Sequence, residues 1–73
     1  MALDGGSDGL DFYRRIAKDA PRYLKENGFL LLEIGYGQRE AIEGILGFSG
    51  KLEIVEAVKD YSNIDRVLIA KRK

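Results

Sequence analysis

The sequence predicts an α/β fold with the element order α–β–α–β–β, and three observations carry that prediction. Apolar residues recur at helical spacing between residues 10 and 24. The runs 29–34 and 67–70 are almost continuously apolar, which is typical of strands covered on both faces. The stretch 38–46 returns to helical spacing. With 73 residues, the chain forms one domain or less and has a thin stability margin.

The first helix is expected to follow a Gly- and Asp-rich loop over residues 1–9. Its apolar stripe consists of Leu10, Tyr13, Ile16, Ala17, Ala20, Tyr23 and Leu24. Ser7 or Asp8 suits the N-cap, because a short polar side chain accepts free N–H groups of the first turn. Pro21 predicts a kink or a break followed by a second short helix, since proline lacks an N–H. Gly28 is expected to end the segment as a left-handed C-terminal cap.

The remaining elements are expected to form a small sheet. Between the strand 29–34 and the partly alternating strand 52–58 lies the helix 38–46, whose expected buried side consists of Ala41, Ile42, Ile45 and Leu46. Because a helix connects these two strands, we expect them to be parallel, with a right-handed crossover. The short turn before the last strand predicts that the last two strands are antiparallel. The strand 52–58 is expected at an edge and the strand 67–70 in the centre. The fold class is therefore α/β, with a three-stranded mixed sheet and helices mainly on one face.

The composition argues against several classes of function. The chain has no Cys and no His, which removes disulfides, thiolate metal sites, the usual general base near neutral pH and Ser–His or Cys–His nucleophile pairs. Twelve basic residues balance twelve acidic ones, so no basic excess indicates nucleic acid as a partner. No signal peptide and no apolar run of about 20 residues is visible, so we expect a cytoplasmic chain with no membrane partner.

The stretch "LLLEIGYGQ" raises the question of a nucleotide-binding loop. A strand, Gly35-x-Gly37 and a helix follow one another as in dinucleotide-binding folds, and Glu53 and Glu56 lie about twenty residues further on, where a ribose-binding acid is expected. Against this, Arg39 occupies the third glycine position, and the chain downstream holds too few strands for a topological switch point. We favour a strand-to-helix turn, with a minimal nucleotide binder as an alternative.

Few other side chains suggest chemistry. Glu33, at the end of its strand, could be a catalytic carboxylate, or it could pair with Arg or accept turn amides, and the second interpretation is favoured. Asp65 and Arg66 are expected to form a local pair at the mouth of the hairpin. Three aspartates near the N-terminus lack the closing Glu of an EF-hand loop, so no metal is expected; they are Asp4, Asp8 and Asp11.

Three segments match a known family. The stretches "LDGGSDGLDFYRRI" (3–16), "YLKENGFLLLEIGYGQ" (23–38) and "KDYSNIDRVLIAKR" (59–72) resemble the HemK/PrmC family of protein-(glutamine-N5) methyltransferases, which act on peptide chain release factors. The patterns DGG-x-DGL and E-x-G-x-x-Q are fairly specific to that family. The resemblance implies part of a Rossmann-like class I methyltransferase fold, in which this chain would supply the last three strands, ordered five–seven–six, with two helices.

The resemblance also implies what these 73 residues do not contain. The family's cofactor loop and its Asn-Pro-Pro-Tyr motif lie upstream of the matching region, and neither is present here. The chain would then be the C-terminal portion of an enzyme whose cofactor is S-adenosylmethionine and whose substrate is a release factor. We expect the chain alone to be inactive and to bind no cofactor, and we assign it no catalytic and no cofactor-binding residue.

Several residues match family pattern positions that would lie on the substrate side of the cleft: Asp8, Gly9, Glu33, Gly35 and Gln38, with Gly5 and Gly6 beside them. A sheet separated from the rest of its domain exposes a strand edge and an apolar face, so we expect self-association at millimolar concentration. The missing N-terminal part of the same domain would be the other partner. An independent small protein-interaction module is the alternative function.

Overall fold

The structure is a computed structural model that describes residues 9–73, and it shows five elements in the predicted order. They are α1 (Asp11–Tyr23), β1 (Phe29–Glu33), α2 (Arg39–Gly47), β2 (Leu52–Lys59) and β3 (Asp65–Arg72). The proposed caps Ser7 and Asp8 lie outside the described residues, and α1 begins later than they require. Leu10 occupies the N-cap position, and Asp11 places a carboxylate in the first turn, where the helix dipole favours an anion.

The sheet confirms the predicted strand order, because β3 lies between β1 and β2. Both hydrogen-bonded pairings are antiparallel, so β1 and β2 run in the same direction on the two sides of β3. The sheet is therefore antiparallel and not mixed, because β1 and β2, which run parallel to each other, are not neighbours. Leu68 is paired with Leu32 on one side and with Ala57 on the other. A bulge interrupts β2 between Ile54 and Glu56.

One hydrophobic core joins both helices to one face of the sheet. Its buried residues are Ala17, Leu32, Ile34, Ile42, Leu46, Leu52, Leu68 and Ala70. Of the residues predicted to be buried on α2, Ile42 and Leu46 are fully buried, but Ala41 is exposed. On α1, Tyr23 is 81% exposed although the periodicity assigned it to the buried stripe. Tyr23 is the last residue of the helix, after which Leu24 continues in an extended conformation.

The end of α1 differs from the prediction in two ways. The helix continues through the buried Pro21 to Tyr23, so the predicted break does not occur. The left-handed residue after the helix is Asn27, with φ of 67°, and not Gly28. Asn tolerates this region better than most residues. Gly28 is needed for a different reason, since a Cβ there would lie 2.9 Å from the carbonyl oxygen of Lys25.

Within residues 9–73, the face of the sheet away from the helices is uncovered and carries a group of apolar side chains. Phe29 and Leu31 of β1 are 57% and 63% exposed, and Val58 of β2 is 41% exposed. Alternation along β3 puts Val67 and Ile69 on the same face. We call these five residues the open sheet face. The prediction that the apolar strands are covered on both faces is therefore wrong within residues 9–73, because both helices pack on the opposite side.

Candidate functional site

A cleft of about 550 Å³ lies at the edge of the sheet where β1 and β2 end and β3 begins. Its lining comes from the β1–α2 turn, the first turns of α2 and the β2–β3 turn: Tyr36, Gly37, Arg39, Glu40, Glu43, Asn63, Ile64 and Asp65. We call it the carboxyl-edge cleft. In open α/β sheets, ligands collect outside the carboxyl ends of the strands, which makes this cleft the first candidate for a site.

The turn between β1 and α2 is closed by two reciprocal hydrogen bonds. The Gly35 N–H donates to the side-chain Oε1 of Gln38 at 2.9 Å. The Gln38 N–H donates to the carbonyl oxygen of Gly35 at 3.1 Å. Gly37 has φ of 77°, which is the backbone conformation that the third residue of a type II turn requires. The turn presents Tyr36, which is 77% exposed, to the carboxyl-edge cleft.

Charged side chains connect α2 to the β2–β3 hairpin on one side of the carboxyl-edge cleft. The Arg39 Nε donates to Glu43 Oε2 at 2.8 Å, and its Nη1 lies 3.5 Å from Asp65 Oδ2. The Lys59 Nζ reaches Asp65 Oδ1 at 2.8 Å. The Lys59 ammonium lowers the pKa of Asp65, and the hydrogen bond to Glu43 raises the pKa of Arg39. These ion pairs tie the helix to the hairpin.

Asp60 is the centre of a second group of polar contacts, within the β2–β3 hairpin. Its Oδ2 accepts from the Arg66 Nε at 2.8 Å, and its Oδ1 accepts from the N–H groups of Ser62 and Ile64 at 2.8 and 3.1 Å. The Arg66 hydrogen bond, followed by that of Ile64, lowers the pKa of Asp60. The predicted local pair of Asp65 with Arg66 is wrong. Neighbouring residues of a strand point to opposite faces, so each pairs across the hairpin instead.

The structure brings the described substrate-side candidates to one edge, and Asp8, Gly5 and Gly6 lie outside the described residues. The Tyr13 hydroxyl donates to the carbonyl oxygen of Glu33 at 2.8 Å, which holds the start of α1 beside the end of β1. Gly9, just before α1, is therefore at the same edge as Glu33 and the Gly35–Gln38 turn. The Glu33 side chain is exposed and forms no hydrogen bond or ion pair within residues 9–73. Glu33 was expected to accept an N–H of the turn, but the Gly35 N–H donates to the Gln38 side chain instead.

The turn does not have the features of a complete nucleotide site. Its Gly35 and Gln38 N–H groups are already used within the turn. Glu53 is aligned across β3 with Phe29, through Lys71, which places it at the opposite end of the sheet from Gly35. Glu53 is therefore too far from the turn to act as its ribose-binding acid, and Glu56 lies in the middle of β2, aligned with Leu31 through Ile69.

Residues 9–73 contain neither a metal-binding cluster nor a membrane-spanning helix. No group of three or more acidic side chains in this range is arranged to hold a metal ion. No helix in this range is long and apolar enough to cross a membrane. The cleft-lining positions of Tyr36, Glu40 and Asn63 were not predicted from the sequence. Their position in or after the turns that follow β1 and β2 is the sequence feature that could have indicated these roles.

Comparison with known proteins identifies relatives of the sequence. No protein-family model matches the chain. It is 48% identical over 71 residues to the release factor glutamine methyltransferase of Thermodesulfovibrio yellowstonii, covering 97% of this chain and 25% of the relative. It is 51% identical over 71 residues to the protein of the same name in Agrobacterium fabrum, covering 97% and 24%. The chain thus spans about a quarter of the length of these relatives.

A solved structure agrees with these sequence matches. The crystal structure of a release-factor-specific protein-(glutamine-N5) methyltransferase from Alicyclobacillus acidocaldarius superimposes with a TM-score of 0.72 and 29% identity, covering all of this chain and 45% of that one. The matching region is the C-terminal part of the methyltransferase, which agrees with the order of strands in the sheet. The chain therefore corresponds to the C-terminal part of a release factor glutamine methyltransferase.

Proposed function

We propose that this chain supplies the C-terminal part of a domain that methylates a glutamine side chain of a peptide chain release factor. The observation that carries the proposal is the 48% identity to a release factor glutamine methyltransferase over 97% of the chain. In that reaction the sulfonium of S-adenosylmethionine loses its methyl group to the amide nitrogen, which releases one proton. Release factors work in translation, so the proposal places the enzyme in the cytoplasm.

Within such an enzyme, the carboxyl-edge cleft belongs to the polypeptide substrate and not to the cofactor. The two hydrogen bonds between Gly35 and Gln38 fix the backbone of the β1–α2 turn before any ligand arrives. A turn fixed in advance loses little conformational entropy when it binds a substrate. Gly9 and Glu33 lie at the same edge of the sheet as this turn, and Asp8 precedes Gly9 in the sequence. We propose that these residues contact the release factor around the glutamine.

The chain alone is proposed to be inactive. It contains one proline, so it cannot include the Asn-Pro-Pro-Tyr motif, and it has no D/E-x-G-x-G-x-G loop. Catalysis by positioning requires both reactants to be held, and neither holding element is present in these 73 residues. Calorimetry of the purified chain with S-adenosylmethionine is expected to give no measurable heat of binding. Binding in the low micromolar range would overturn this part of the proposal.

A chimera tests the proposed function directly. The C-terminal quarter of the Thermodesulfovibrio yellowstonii relative is replaced by this chain, and methylation of a release factor is followed by mass spectrometry of its glutamine-containing peptide. The chimera is expected to add one methyl group to the glutamine. A chimera that folds and binds S-adenosylmethionine as tightly as the unaltered relative, but does not methylate, would contradict the proposal.

Two variants of the chimera test the assignment of the carboxyl-edge cleft. Tyr36→Ala removes an exposed side chain from the cleft and is expected to raise KM for the release factor about tenfold without changing the affinity for S-adenosylmethionine. Tyr61→Ala is the matched control, because Tyr61 is fully exposed at the tip of the β2–β3 turn and does not line the cleft. Equal kinetics of the two variants would remove the assignment.

An independent interaction module is the second candidate, and the open sheet face is the observation that favours it. Phe29 and Leu31 are large apolar side chains exposed side by side on one face of a strand. An amide-shift titration separates this candidate from a nucleotide binder. With S-adenosylmethionine or ATP, no movement of the Gly35 or Gly37 signals would eliminate nucleotide binding at the turn.

A further inference from the structure

The edge of the sheet opposite the carboxyl-edge cleft is basic. Five of the twelve Lys and Arg side chains form ion pairs within residues 9–73. Five of the remaining seven lie where β1 and β2 begin and β3 ends: Lys25, Lys51, Lys71, Arg72 and Lys73. Positive charge without an ion-pair partner in this range is therefore concentrated at one edge, although the whole chain has no net charge.

Strand pairing places three of these lysines on one face of the sheet. The Lys73 N–H donates to the carbonyl oxygen of Lys51 at 3.0 Å and so continues the pairing of β2 with β3, with the two residues opposite each other. Alternation along the strand puts Lys71 on the same face as Lys73. Like charges directly opposite each other destabilise a sheet. An anion bound between Lys51 and Lys73 would remove that repulsion.

An exposed aromatic ring lies beside the lysines. Phe29 of β1 is paired with Lys71 of β3 and is 57% exposed on the open sheet face. Residues paired in this way have Cβ atoms about 5 Å apart, so the ring and the ammonium group are neighbours. We call Phe29, Lys51, Lys71 and Lys73 the amino-edge patch. It combines a ring on which a base can stack with cations that can bind phosphate.

The acids at this edge do not neutralise the lysines. Glu53 is paired with Lys71 on the β2 side, and Glu26 lies in the turn before β1. Neither carboxylate, nor the terminal carboxylate of Lys73, forms an ion pair within residues 9–73. Arg72 points to the other face, and its Nε is buried without a hydrogen-bond partner in the same range. The cations at this edge therefore outnumber the anions and stay available to a ligand.

We propose that the amino-edge patch binds single-stranded nucleic acid. A base would stack on Phe29, and the phosphates beside it would lie among Lys51, Lys71 and Lys73. The exposed ring selects this occupant over an acidic peptide, because a base offers a flat π-surface and a carboxylate does not. The sequence as a whole shows no basic excess, and the local excess forms only where the fold brings three segments together. The patch lies away from the carboxyl-edge cleft, so a bound strand leaves that cleft open.

Fluorescence anisotropy of a labelled oligouridylate of about 12 nucleotides tests the proposal on the 73-residue chain. Binding is expected to be saturable, with a Kd of about 100 μM. Contacts of three lysines with phosphates predict that the logarithm of the binding constant falls with the logarithm of the salt concentration with a slope of about −2. An oligoglutamate of the same length is expected to compete at least about tenfold less well, because it cannot stack on the ring.

Two variants with matched controls locate the site. Lys51→Glu is expected to weaken binding about tenfold and to keep or raise the melting temperature, because it places an acid opposite Lys73. Phe29→Leu keeps an apolar side chain and is expected to weaken binding at least about fivefold without changing the salt slope. Lys18→Glu and Phe48→Leu are the controls, because both residues are exposed on or next to a helix, away from this edge.

Each contrary outcome overturns the proposal. No saturable change in anisotropy at low salt would mean that the amino-edge patch binds no nucleic acid. Equal competition by the oligoglutamate would identify an acidic peptide as the occupant. Equal weakening by Lys18→Glu and Lys51→Glu would mean that the overall charge of the chain, and not the patch, attracts the oligonucleotide. Unchanged binding by Phe29→Leu would mean that no base stacks on the ring.

Discussion

The side-chain oxygen of Gln38 lies in close contact with the position that a Cβ of residue 35 would occupy. It accepts the Gly35 N–H at 2.9 Å, and a Cβ built on Gly35 would come within 2.8 Å of it. A side chain at residue 35 is therefore disfavoured by the Gln38 side chain and not by a positive φ, which occurs two residues later at Gly37. This contact gives a structural reason for the spacing of glycine and glutamine in the turn that borders the carboxyl-edge cleft.

The first prediction is an energetic coupling between Gly35 and Gln38. Gly35→Ala forces the flexible Gln38 side chain to move away, so the variant loses a hydrogen bond worth about 1 kcal/mol. In a Gln38→Ala background the same change has nothing to displace and gains stability from a less flexible unfolded chain. Urea unfolding of the four proteins is expected to give a coupling free energy of about 1 kcal/mol. Strict additivity would show that the two residues do not depend on each other.

The second prediction concerns acid stability and Asp60. Its pKa is lowered in the folded chain by hydrogen bonds from Arg66 and Ile64, so its ionised form stabilises the fold. That stabilisation is fully present above the unfolded-state pKa of about 3.9 and is lost as the pH falls through the lower folded-state value. Melting temperatures of the unchanged chain and of Asp60→Asn are expected to differ at pH 7 and to converge on acidification. A difference in melting temperature that stays constant down to the most acidic buffer would contradict the prediction.

The third prediction compares two leucines of the sheet that differ in burial. Leu68 is fully buried in the central strand, and Leu31 is 63% exposed on the open sheet face. Leu68→Ala is expected to cost about 2–5 kcal/mol, from a total that is roughly 4 to 11 kcal/mol for 73 residues. Leu31→Ala is the control and is expected to cost no more than about 0.5 kcal/mol. Chemical denaturation followed by circular dichroism measures both, and similar costs would place the core elsewhere.

The strand order and the packing side of the helices could be predicted from the sequence. The apolar run around Leu68 and the short turn before it are local signals that suffice to place β3 between its neighbours. Tyr23 shows where such reasoning ends, because a periodicity assigns a side of the helix but not the point at which packing stops. The pairing of Asp65 with Lys59 and Arg39 also depends on three elements meeting, and no short stretch of sequence carries that information.

The same limit applies to the carboxyl-edge cleft. Gly35 and Gln38 stand out in the sequence, but their hydrogen bonds to each other depend on side-chain conformation. Tyr36 and Asn63 are far apart in the chain, and the sheet brings them to one cleft. Residues in turns become neighbours only through strand order and register, which is why the sequence indicated the edge but not its lining.

The last prediction is self-association through β1. Among residues 9–73 this strand is paired with β3 alone, so its other edge presents backbone groups without a strand partner there, beside the exposed Phe29 and Leu31. Unpaired edges next to apolar surface favour pairing between chains. Light scattering at millimolar concentration is expected to report a mass above that of the monomer. Leu31→Lys is expected to restore the monomer, because a buried charge opposes close pairing of two such edges.

Phe48→Lys is the matched control for this experiment. Phe48 is 92% exposed but lines a concavity between α1 and α2, away from β1. If association uses the strand edge and the open sheet face, this variant behaves as the unchanged chain does. If Phe48→Lys abolishes association and Leu31→Lys does not, the two copies meet through the helices. A clean monomer for the unchanged chain at millimolar concentration would mean that the apolar surface of β1 does not drive association at all.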